Sequence, residues 1–444
     1  MHKTLAALTL LSLFLIGGAT ASHVSNDYWL HCTHSDTAGT TCKEEAVPTV
    51  TSTHTVTVTQ TVTTTPTPPP PSAPQPTIAA FPIGSGWAAA WMPNLPKHAY
   101  VTLNAWQKAE RDQIKAANPN VKVLVYKDMA STRSYACSNG VDQAKLPTGV
   151  GYCYADKNAP QWFSTTSAGA RIEWNGYPGH WQMDIGDAAY QNAWASNVIA
   201  EAKADGWDGI SVDNANVDPG YTESGYMSGK LPSEYPTRAS YEAATRSFLA
   251  NVGPKVKAEG LLIFPNIQAN MNYATPALWK DWTTFTSGGI REFLCKWGHG
   301  TTGHFGGAGC QLYLDTMAAT QSVNRSIILS IYSTATDTRT MRWGRANFLL
   351  GWDGVSASAL SFDTQSTSDP YNQEWVIDVG KPVGAITTQG NAKLREYSAG
   401  YVAANHSSST AQTVTFPRQY RMPDGTLVTS TTLQPLTGLI VRSP

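Results

Sequence analysis

The sequence predicts a TIM (β/α)8 barrel followed by a small antiparallel β-subdomain. Between about residues 98 and 365, eight short β-rich runs alternate with segments of helical character. Strands separated by helices of this length pair in parallel with right-handed crossovers, and eight such units make a barrel. An open doubly wound sheet is the alternative, but it would usually have a glycine-rich turn after its first strand, and none occurs there.

The predicted strands are rich in β-branched and aromatic residues and end at turn or helix signals. In chain order they are YVTLNAW, VKVLVYKDM, HWQMDIG, DGISVDN, GLLIFPNI, GIREFLC, RSIILSIYS and GVSASALSF. Helical segments such as QKAERDQIKAANP and RASYEAATRSFLANVGPKVKAEG follow them. From Gly380 onward, the runs LREYSAGYVAAN, QTVTF and TGLIVRS alternate in strand fashion around turn signals such as PDGT, which predicts the β-subdomain.

The amino terminus has the pattern of a secretory signal peptide. His2 and Lys3 precede the apolar run LAALTLLSLFLIGG, and small residues precede Ser22. This run is too short for a comfortable transmembrane helix, although an uncleaved signal anchor is the alternative. We expect residues 1–21 to be removed and the mature chain, without a membrane span, to be secreted and extracellular or held at the cell surface.

A low-complexity segment separates the amino terminus from the predicted barrel. After a small cysteine-containing region, TVTSTHTVTVTQTVTTTPTPPPPSAPQPT is typical of an extended, O-glycosylated stalk. Its Thr/Val alternation could form a strand, but the prolines at 68–71 favour a spacer. We therefore assign residues 22–79 to this region and stalk, residues 80–378 to the barrel and residues 379–444 to the β-subdomain.

Six cysteines in an exported chain predict disulfides rather than free thiols. Proximity in the sequence suggests the pairs Cys32 with Cys42, Cys137 with Cys153, and Cys295 with Cys310. A metal site is the alternative for the last pair, because His299 and His304 lie between the two cysteines. That spacing matches no zinc pattern, so we expect no metal and no cofactor.

The composition indicates a neutral partner. Only 14% of the residues are charged and the net charge is -1, so the sequence lacks the excess of positive charge that binding to nucleic acid or to an anionic membrane requires. The chain has 15 tryptophans and 19 tyrosines, whose faces suit ring-shaped neutral ligands, although most large aromatic residues in any fold are core. We expect a monomer that binds a polysaccharide or an oligosaccharide.

Acidic and amide side chains end several predicted strands. In DGISVDN, alternation directs Ser211 and Asp213 to the barrel axis, with Asp213 at the mouth. Active sites of TIM barrels lie at the carboxyl ends of the strands, so residues that end the other strands are expected nearby. These are Tyr126, Asp128, Asp184, Asn266 and Glu292. One acid at such a place could cap a helix, but several on one face are harder to explain in this way.

Paired carboxylates beside amides and aromatic rings are typical of the active sites of glycoside hydrolases. The sequence has no G-x-S-x-G elbow, H-E-x-x-H motif or P-loop for the competing chemistries. We interpret Asp213 as the nucleophile or base and Glu292 as the general acid. The candidate substrate-binding residues are Tyr126, Asp128, Asp184, Asn214, Asn266, Trp297, Tyr332 and Trp352. Capping or core packing is the structural alternative for each.

Three segments resemble the glycoside-hydrolase-like family fifteen: APQWFSTTSAGARIEW, WQMDIGDAAYQNAWASNVIAEAKADGWDGISVDNANV and DVGKPVGA. The MDIG…GWDGISVDN portion is also similar to glycoside hydrolase family 114, the endo-α-1,4-polygalactosaminidases. The resemblance extends from about Ala80 to the end of the chain. It implies a TIM barrel whose catalytic acids follow the fourth strand and lie in the sixth, here Asp213 and Glu292, with Asp184 as the acid of MDIG. The loop KWGHGTTGHFGGAGC departs from the family pattern, so the resemblance implies no subsites there.

A non-catalytic carbohydrate-binding protein on a glycosylated stalk is the alternative function. The stalk suits both hypotheses, because it would hold either kind of domain away from a surface. The presence of both Asp213 and Glu292 favours an enzyme that cleaves a polysaccharide.

Overall fold

We describe the protein from a computed structural model, which covers residues 22–25, 28–35, 39–46, 75–221, 225–267 and 274–444, with side chains from Thr77 onward. The predicted signal peptide and most of the predicted stalk lie outside these residues. The chain divides into two units, residues 1–69 and 70–444. None of the helices in the described ranges is both long and apolar enough to cross a membrane.

The first unit contains a three-stranded antiparallel sheet. Its strands, in the order β1-β2-β3, are β1 (Ser22–Ser25), β2 (Tyr28–Ser35) and β3 (Gly39–Ala46). Cys32 and Cys42 occupy directly opposed positions on β2 and β3. Their side chains lie outside the described part of the chain, so the bridge between them stays a prediction.

In the second unit, strands and helices alternate as far as Asp363. They are β4 (Gln75–Ala80), α1 (Trp87–Trp91), β5 (His98–Leu103), α2 (Lys108–Ala117), β6 (Lys122–Asp128), β7 (Ser131–Arg133), β8 (Cys137–Ser138), β9 (Val141–Asp142), α3 (Tyr152–Asn158), β10 (His180–Gln182), α4 (Ala188–Asp205), β11 (Gly209–Asp213), α5 (Arg238–Ala258), β12 (Leu262–Pro265), α6 (Pro276–Phe285), β13 (Gly288–Glu292), α7 (Gly307–Gln321), β14 (Ser326–Tyr332), α8 (Thr338–Gly351) and β15 (Ala359–Asp363).

Eight parallel strands form the barrel, which confirms the predicted fold. They are hydrogen-bonded in the order β12-β11-β6-β5-β4-β15-β14-β13. The ring closes between β12 and β13, where Asn266 pairs with Ile290 and the Ile267 N–H donates to the Ile290 carbonyl at 3.0 Å. Because all eight strands are parallel, their carboxyl ends lie on one rim.

Two apolar layers hold the barrel together. Side chains that point outward from the strands, such as Ile210 and Val212, are buried in the larger layer together with residues of the helices. Alternate residues fill the barrel interior in a separate cluster: Ala79, Tyr100, Leu124, Phe264, Ile290, Ile328 and Ala359. This period of two is what β-strands covered on both faces require.

Two strands differ from the sequence prediction. The run HWQMDIG is not the third barrel strand, because β10 pairs antiparallel with β7 outside the barrel. The first barrel strand is instead β4, whose residues 75–79 the sequence analysis assigns to the stalk. β4 directly follows the proline-rich tract and has little apolar sequence, so its strand signal was weak, yet Ile78 is fully buried.

The carboxyl-terminal residues form the predicted antiparallel subdomain. Its six strands pair in the order β16-β17-β18-β21-β19-β20. Their bounds are β16 (Thr387–Gln389), β17 (Ala392–Tyr397), β18 (Gly400–Asn405), β19 (Gln412–Arg421), β20 (Leu427–Leu433) and β21 (Thr437–Arg442). Tyr397, Val402 and Ile440 belong to the same apolar cluster as the barrel residues, so one face of the sheet packs into the core of the barrel, while a second cluster lies within the subdomain itself.

A buried arginine joins three parts of the second unit. Arg345 of α8 donates to the Thr77 carbonyl at 3.1 Å and to its hydroxyl at 2.9 Å, and also to the Ile377 carbonyl at 3.2 Å. Burial lowers the pKa of Arg345 to about 10. The side chain therefore links α8 to the first barrel strand and to the segment that leads into the β-subdomain.

Two of the three predicted disulfides are confirmed, Cys137–Cys153 and Cys295–Cys310. Their sequence separations are 16 and 15 residues. The second bridge pins the loop that follows Glu292.

Removing either bridge should lower the free energy of unfolding by about 3 kcal/mol, because in the chain-entropy model the effect depends on loop length, which is nearly equal for the two. Urea denaturation of Cys137→Ala/Cys153→Ala and of Cys295→Ala/Cys310→Ala measures this loss. Only the second variant should also speed amide hydrogen exchange in residues 293–306, since only its bridge restrains that loop. Similar exchange in both variants would contradict this expectation.

Candidate active site

A cleft of about 530 Å³, including its open mouth, lies at the carboxyl ends of the barrel strands. All eight barrel strands contribute to its wall through a residue in the strand or directly after it: Phe81, Thr102, Tyr126, Asp213, Asn266, Glu292, Tyr332 and Asp363. Five of the ten residues predicted for the site therefore meet in one place: Tyr126, Asp213, Asn266, Glu292 and Tyr332.

Asp213 ends β11, and its carboxylate receives three hydrogen bonds. The Tyr126 hydroxyl donates to Oδ2 at 2.6 Å, while the Asn214 backbone N–H and the Asn266 Nδ2 donate to Oδ1 at 2.8 and 3.1 Å. Burial raises the pKa of Asp213, and the charge of Asp128 raises it further, whereas the three donors act in the opposite direction. The donors also fix the orientation of the carboxylate toward the cleft.

Glu292 lies in β13, two strands around the ring from Asp213. Its Oε1 accepts a hydrogen bond from the Tyr332 hydroxyl at 2.8 Å. Burial and the negative charge of Glu292 hold the pKa of Tyr332 well above its usual value, so this hydroxyl remains a donor. The Tyr332 ring packs edge-on against Phe293 with centroids 4.5 Å apart. Each of the two predicted catalytic acids is thus paired with a tyrosine.

Asp363 is a third carboxylate of the cleft, and the sequence analysis missed it. It ends β15, is 3% exposed, and accepts hydrogen bonds from the backbone N–H and the side-chain amide of Gln365 at 2.7 and 3.0 Å. Burial raises its pKa to about 6. The predicted eighth strand stopped one residue short of it. Extending the alternation from Ser361 by two residues would have placed Asp363 on the barrel axis, as it did Asp213.

Asp128 and Asn214 are not among the residues that line the cleft, although Asp128 is in register with Asp213 on the neighbouring strand, and their predicted contact with substrate stays a prediction. Asp128 is fully buried, forms an ion pair with Arg133 at 2.7 Å, and accepts from the Ser131 hydroxyl at 2.9 Å. The Asn214 side chain donates to Asp128 at 2.8 Å, while its backbone N–H donates to Asp213. Asn214 therefore connects the buried ion pair to the carboxylate of the cleft.

Asp184 and Trp352 were also predicted to bind substrate, and neither lines the cleft. Asp184 follows the non-barrel strand β10 and accepts hydrogen bonds from the Tyr235 hydroxyl and, at 3.2 Å, from the Gly186 N–H. Trp352 is buried at the carboxyl end of α8, on the face of the barrel opposite the cleft, with Nε1 donating to the Ser356 carbonyl at 3.0 Å. Trp352 does not face the cleft, because the carboxyl ends of the helices and the carboxyl ends of the strands lie on opposite faces of the barrel.

Trp297 lies on the loop after Glu292, outside the cleft wall but exposed by 48%. Its backbone N–H donates to the Gly303 carbonyl at 3.0 Å, and its ring stacks on Phe305 with centroids 5.8 Å apart. Gly303 has φ +88°, and a Cβ there would lie 2.3 Å from the Trp297 carbonyl, so the loop requires glycine at this place. Because the two cysteines of this loop are bonded to each other, they are not available as the metal ligands of the alternative hypothesis.

The sequence matches the model of the family described as hypothetical glycosyl hydrolase family 15 over residues 115–401, which is more than half of the chain. No curated protein matches it. Similar solved structures include the glycoside hydrolase domain of PelA from Pseudomonas aeruginosa, with 14% identity over 68% of this chain and 97% of that chain and a TM-score of 0.41.

Two further similar structures match a larger share of this chain. The alpha-amylase from Geobacillus thermoleovorans is 10% identical over 83% of this chain and 98% of that chain, with a TM-score of 0.46. The GH31 dextranase from Flavobacterium johnsoniae is 9% identical over 84% of this chain and 52% of that chain, with a TM-score of 0.49. The assignment rests on the family match alone: the chain belongs to hypothetical glycosyl hydrolase family 15, and its enzyme class is glycoside hydrolase.

Proposed function

We propose that the protein is an exported glycoside hydrolase that cleaves a polysaccharide, with Asp213 as nucleophile or base and Glu292 as general acid. One observation carries this proposal: two carboxylates from β11 and β13 line one cleft, and each is held by its own tyrosine hydroxyl. Two carboxyl groups flanking the glycosidic bond are what its hydrolysis requires.

The contacts of the two acids suit different roles. Glu292 gives its proton to the leaving oxygen as the glycosidic C–O bond breaks, and Tyr332, by donating to Oε1, directs that proton to Oε2. Asp213, whose carboxylate is oriented by three donors, either bonds to the anomeric carbon or takes a proton from the attacking water. In the first case, water then cleaves the glycosyl ester while Glu292 accepts a proton from it.

Asn266 and Asp363 are suited to bind sugar hydroxyls. The Asn266 Oδ1 is buried and has no hydrogen-bond partner among the described residues, although its Nδ2 donates to Asp213. An unpaired buried acceptor is costly, and a substrate hydroxyl in the cleft would satisfy it. Asp363 offers carboxylate oxygens from the strand beside that of Tyr332.

We place the enzyme outside the cell, anchored or released, because a signal-peptide pattern precedes a chain with two disulfides. The Thr/Pro-rich segment would then be its stalk. We retain the expectation of a monomer.

A direct test is to incubate the purified chain with α-1,4-polygalactosamine, soluble starch and dextran and to measure new reducing ends. Release from at least one of them supports the proposal. Binding without cleavage would favour the carbohydrate-binding alternative, and neither binding nor cleavage of any of the three would contradict the proposed function.

Glu292→Gln and Asp213→Asn should each lower kcat by roughly 10²- to 10⁴-fold, because each removes a group that acts in proton transfer or attack at the transition state. Polysaccharide binding should persist, since the cleft keeps its shape. Steady-state kinetics and a binding assay on the same preparations measure both quantities. Glu259→Gln, an exposed change at the end of α5, is the matched control and should leave kcat unchanged; normal turnover in both cleft variants would rule out the assigned roles.

Asp363→Asn should change how stability depends on pH. The pKa of Asp363 is raised from 3.8 to about 6 in the folded protein, so the folded protein keeps this proton up to a higher pH than the unfolded chain does. The wild-type protein therefore loses stability as the pH rises from about 4 to about 6. The asparagine of the variant does not ionise, so the variant should be more stable than wild type by about 3 kcal/mol above pH 6, with little difference below pH 4. Unfolding curves at pH 4, 5, 6 and 7 measure the difference; a difference that does not change with pH would refute this explanation.

A further inference from the structure

Two exposed tryptophans lie on opposite sides of the barrel mouth. Trp106 follows β5 and is 57% exposed, and Trp297 follows β13 and is 48% exposed. In the closed ring, β13 is the fourth strand from β5 in either direction. The two indole rings therefore belong to diametrically opposed parts of the rim, with the cleft between them.

Trp106 is held on a turn fixed by buried side chains. The Gln107 N–H donates to the Asn104 carbonyl at 3.0 Å, and the Gln107 side chain accepts from the Asn104 N–H at 2.7 Å. The Asn104 side chain donates to the carbonyl of Ile83, a residue of the cleft wall, at 2.7 Å. This turn thus presents a large apolar ring to solvent while it contacts the wall of the cleft.

Trp297 is connected to the cleft through aromatic rings. Its ring lies 5.9 Å from that of Phe293, which packs on Tyr332, the donor to Glu292. Phe305 covers one side of the indole, and the Cys295–Cys310 bridge restrains the loop. Like Trp106, Trp297 is presented on a fixed segment, so binding a ligand there would cost little ordering of the protein.

We propose that Trp106 and Trp297 bind sugar rings of one polysaccharide chain on the two sides of the cleaved bond, so that the enzyme cuts internal bonds. This inference rests on the proposed function. Aromatic faces provide large, rigid apolar contact for ring-shaped ligands, and exposed apolar surface beside a cleft marks a binding site. A chain that spans the two platforms crosses the cleft that holds Asp213 and Glu292, and it extends beyond them in both directions.

The test compares wild type, Trp106→Ala and Trp297→Ala on whichever of α-1,4-polygalactosamine, soluble starch and dextran the wild type cleaves. Each substitution should raise KM for the polymer by about tenfold, as is typical when a central tryptophan is truncated, with a smaller change in kcat. Trp106→Tyr and Trp297→Tyr keep a ring and should recover most of the loss. Val355→Ala, an exposed apolar truncation before β15 on the opposite face of the barrel, should match wild type.

The mode of cleavage is read from product size during the first few percent of reaction. Internal cleavage lowers the mean chain length of the polymer early, and each alanine variant should alter the distribution of product lengths. Wild-type KM and products in both alanine variants would overturn the two platforms while leaving the proposed function intact. Release of only terminal sugars by the wild type would overturn internal cleavage, and cleavage of none of the three polymers would instead remove the proposed function on which the inference rests.

Discussion

The geometry of the cleft depends on the closure of the barrel at Asn266. Its backbone N–H donates to the Val212 carbonyl at 2.6 Å, and the same residue pairs with Ile290 on the other side. Its side chain donates to Asp213. One residue therefore joins β11 to β13, the strands that carry the two acids, and sets the distance between Asp213 and Glu292 through the hydrogen-bonded sheet. Closure of the barrel and alignment of the acids are the same structural requirement.

A buried ion pair shapes the environment of Asp213. Asp128 and Arg133 are both buried, and two opposite charges removed from water must be paired closely to be tolerated. The negative end of the pair raises the pKa of Asp213, while Asn214 links the two carboxylates through its side chain and backbone. Losing Arg133 would leave Asp128 unpaired and disturb Asn214, so the support of the site is electrostatic as well as steric.

Strand alternation was sufficient to predict the barrel and the orientation of Asp213, because period-two patterns report directly which face of a strand a residue occupies. Glu292 lies in the same cleft as Asp213, although the predicted strand ran on to Cys295 and β13 ends at Glu292. The alternation pattern failed to identify β4, which is short and follows a proline tract. It also missed Asp363, which lies one residue beyond the end of the predicted strand. Trp352 shows a different limit, because composition indicates that an aromatic residue is useful without indicating whether it is buried.

Arg345 has a consequence for how far the chain can be trimmed. Its acceptors lie on Thr77, before the predicted start of the barrel, and on Ile377, at its predicted end. A fragment cut at residues 80 and 378 would leave a buried guanidinium without part of its hydrogen bonds and would expose the face of α8 that packs on the β-subdomain. The barrel therefore depends on residues outside both cuts, and the antiparallel sheet is an integral part of the second unit.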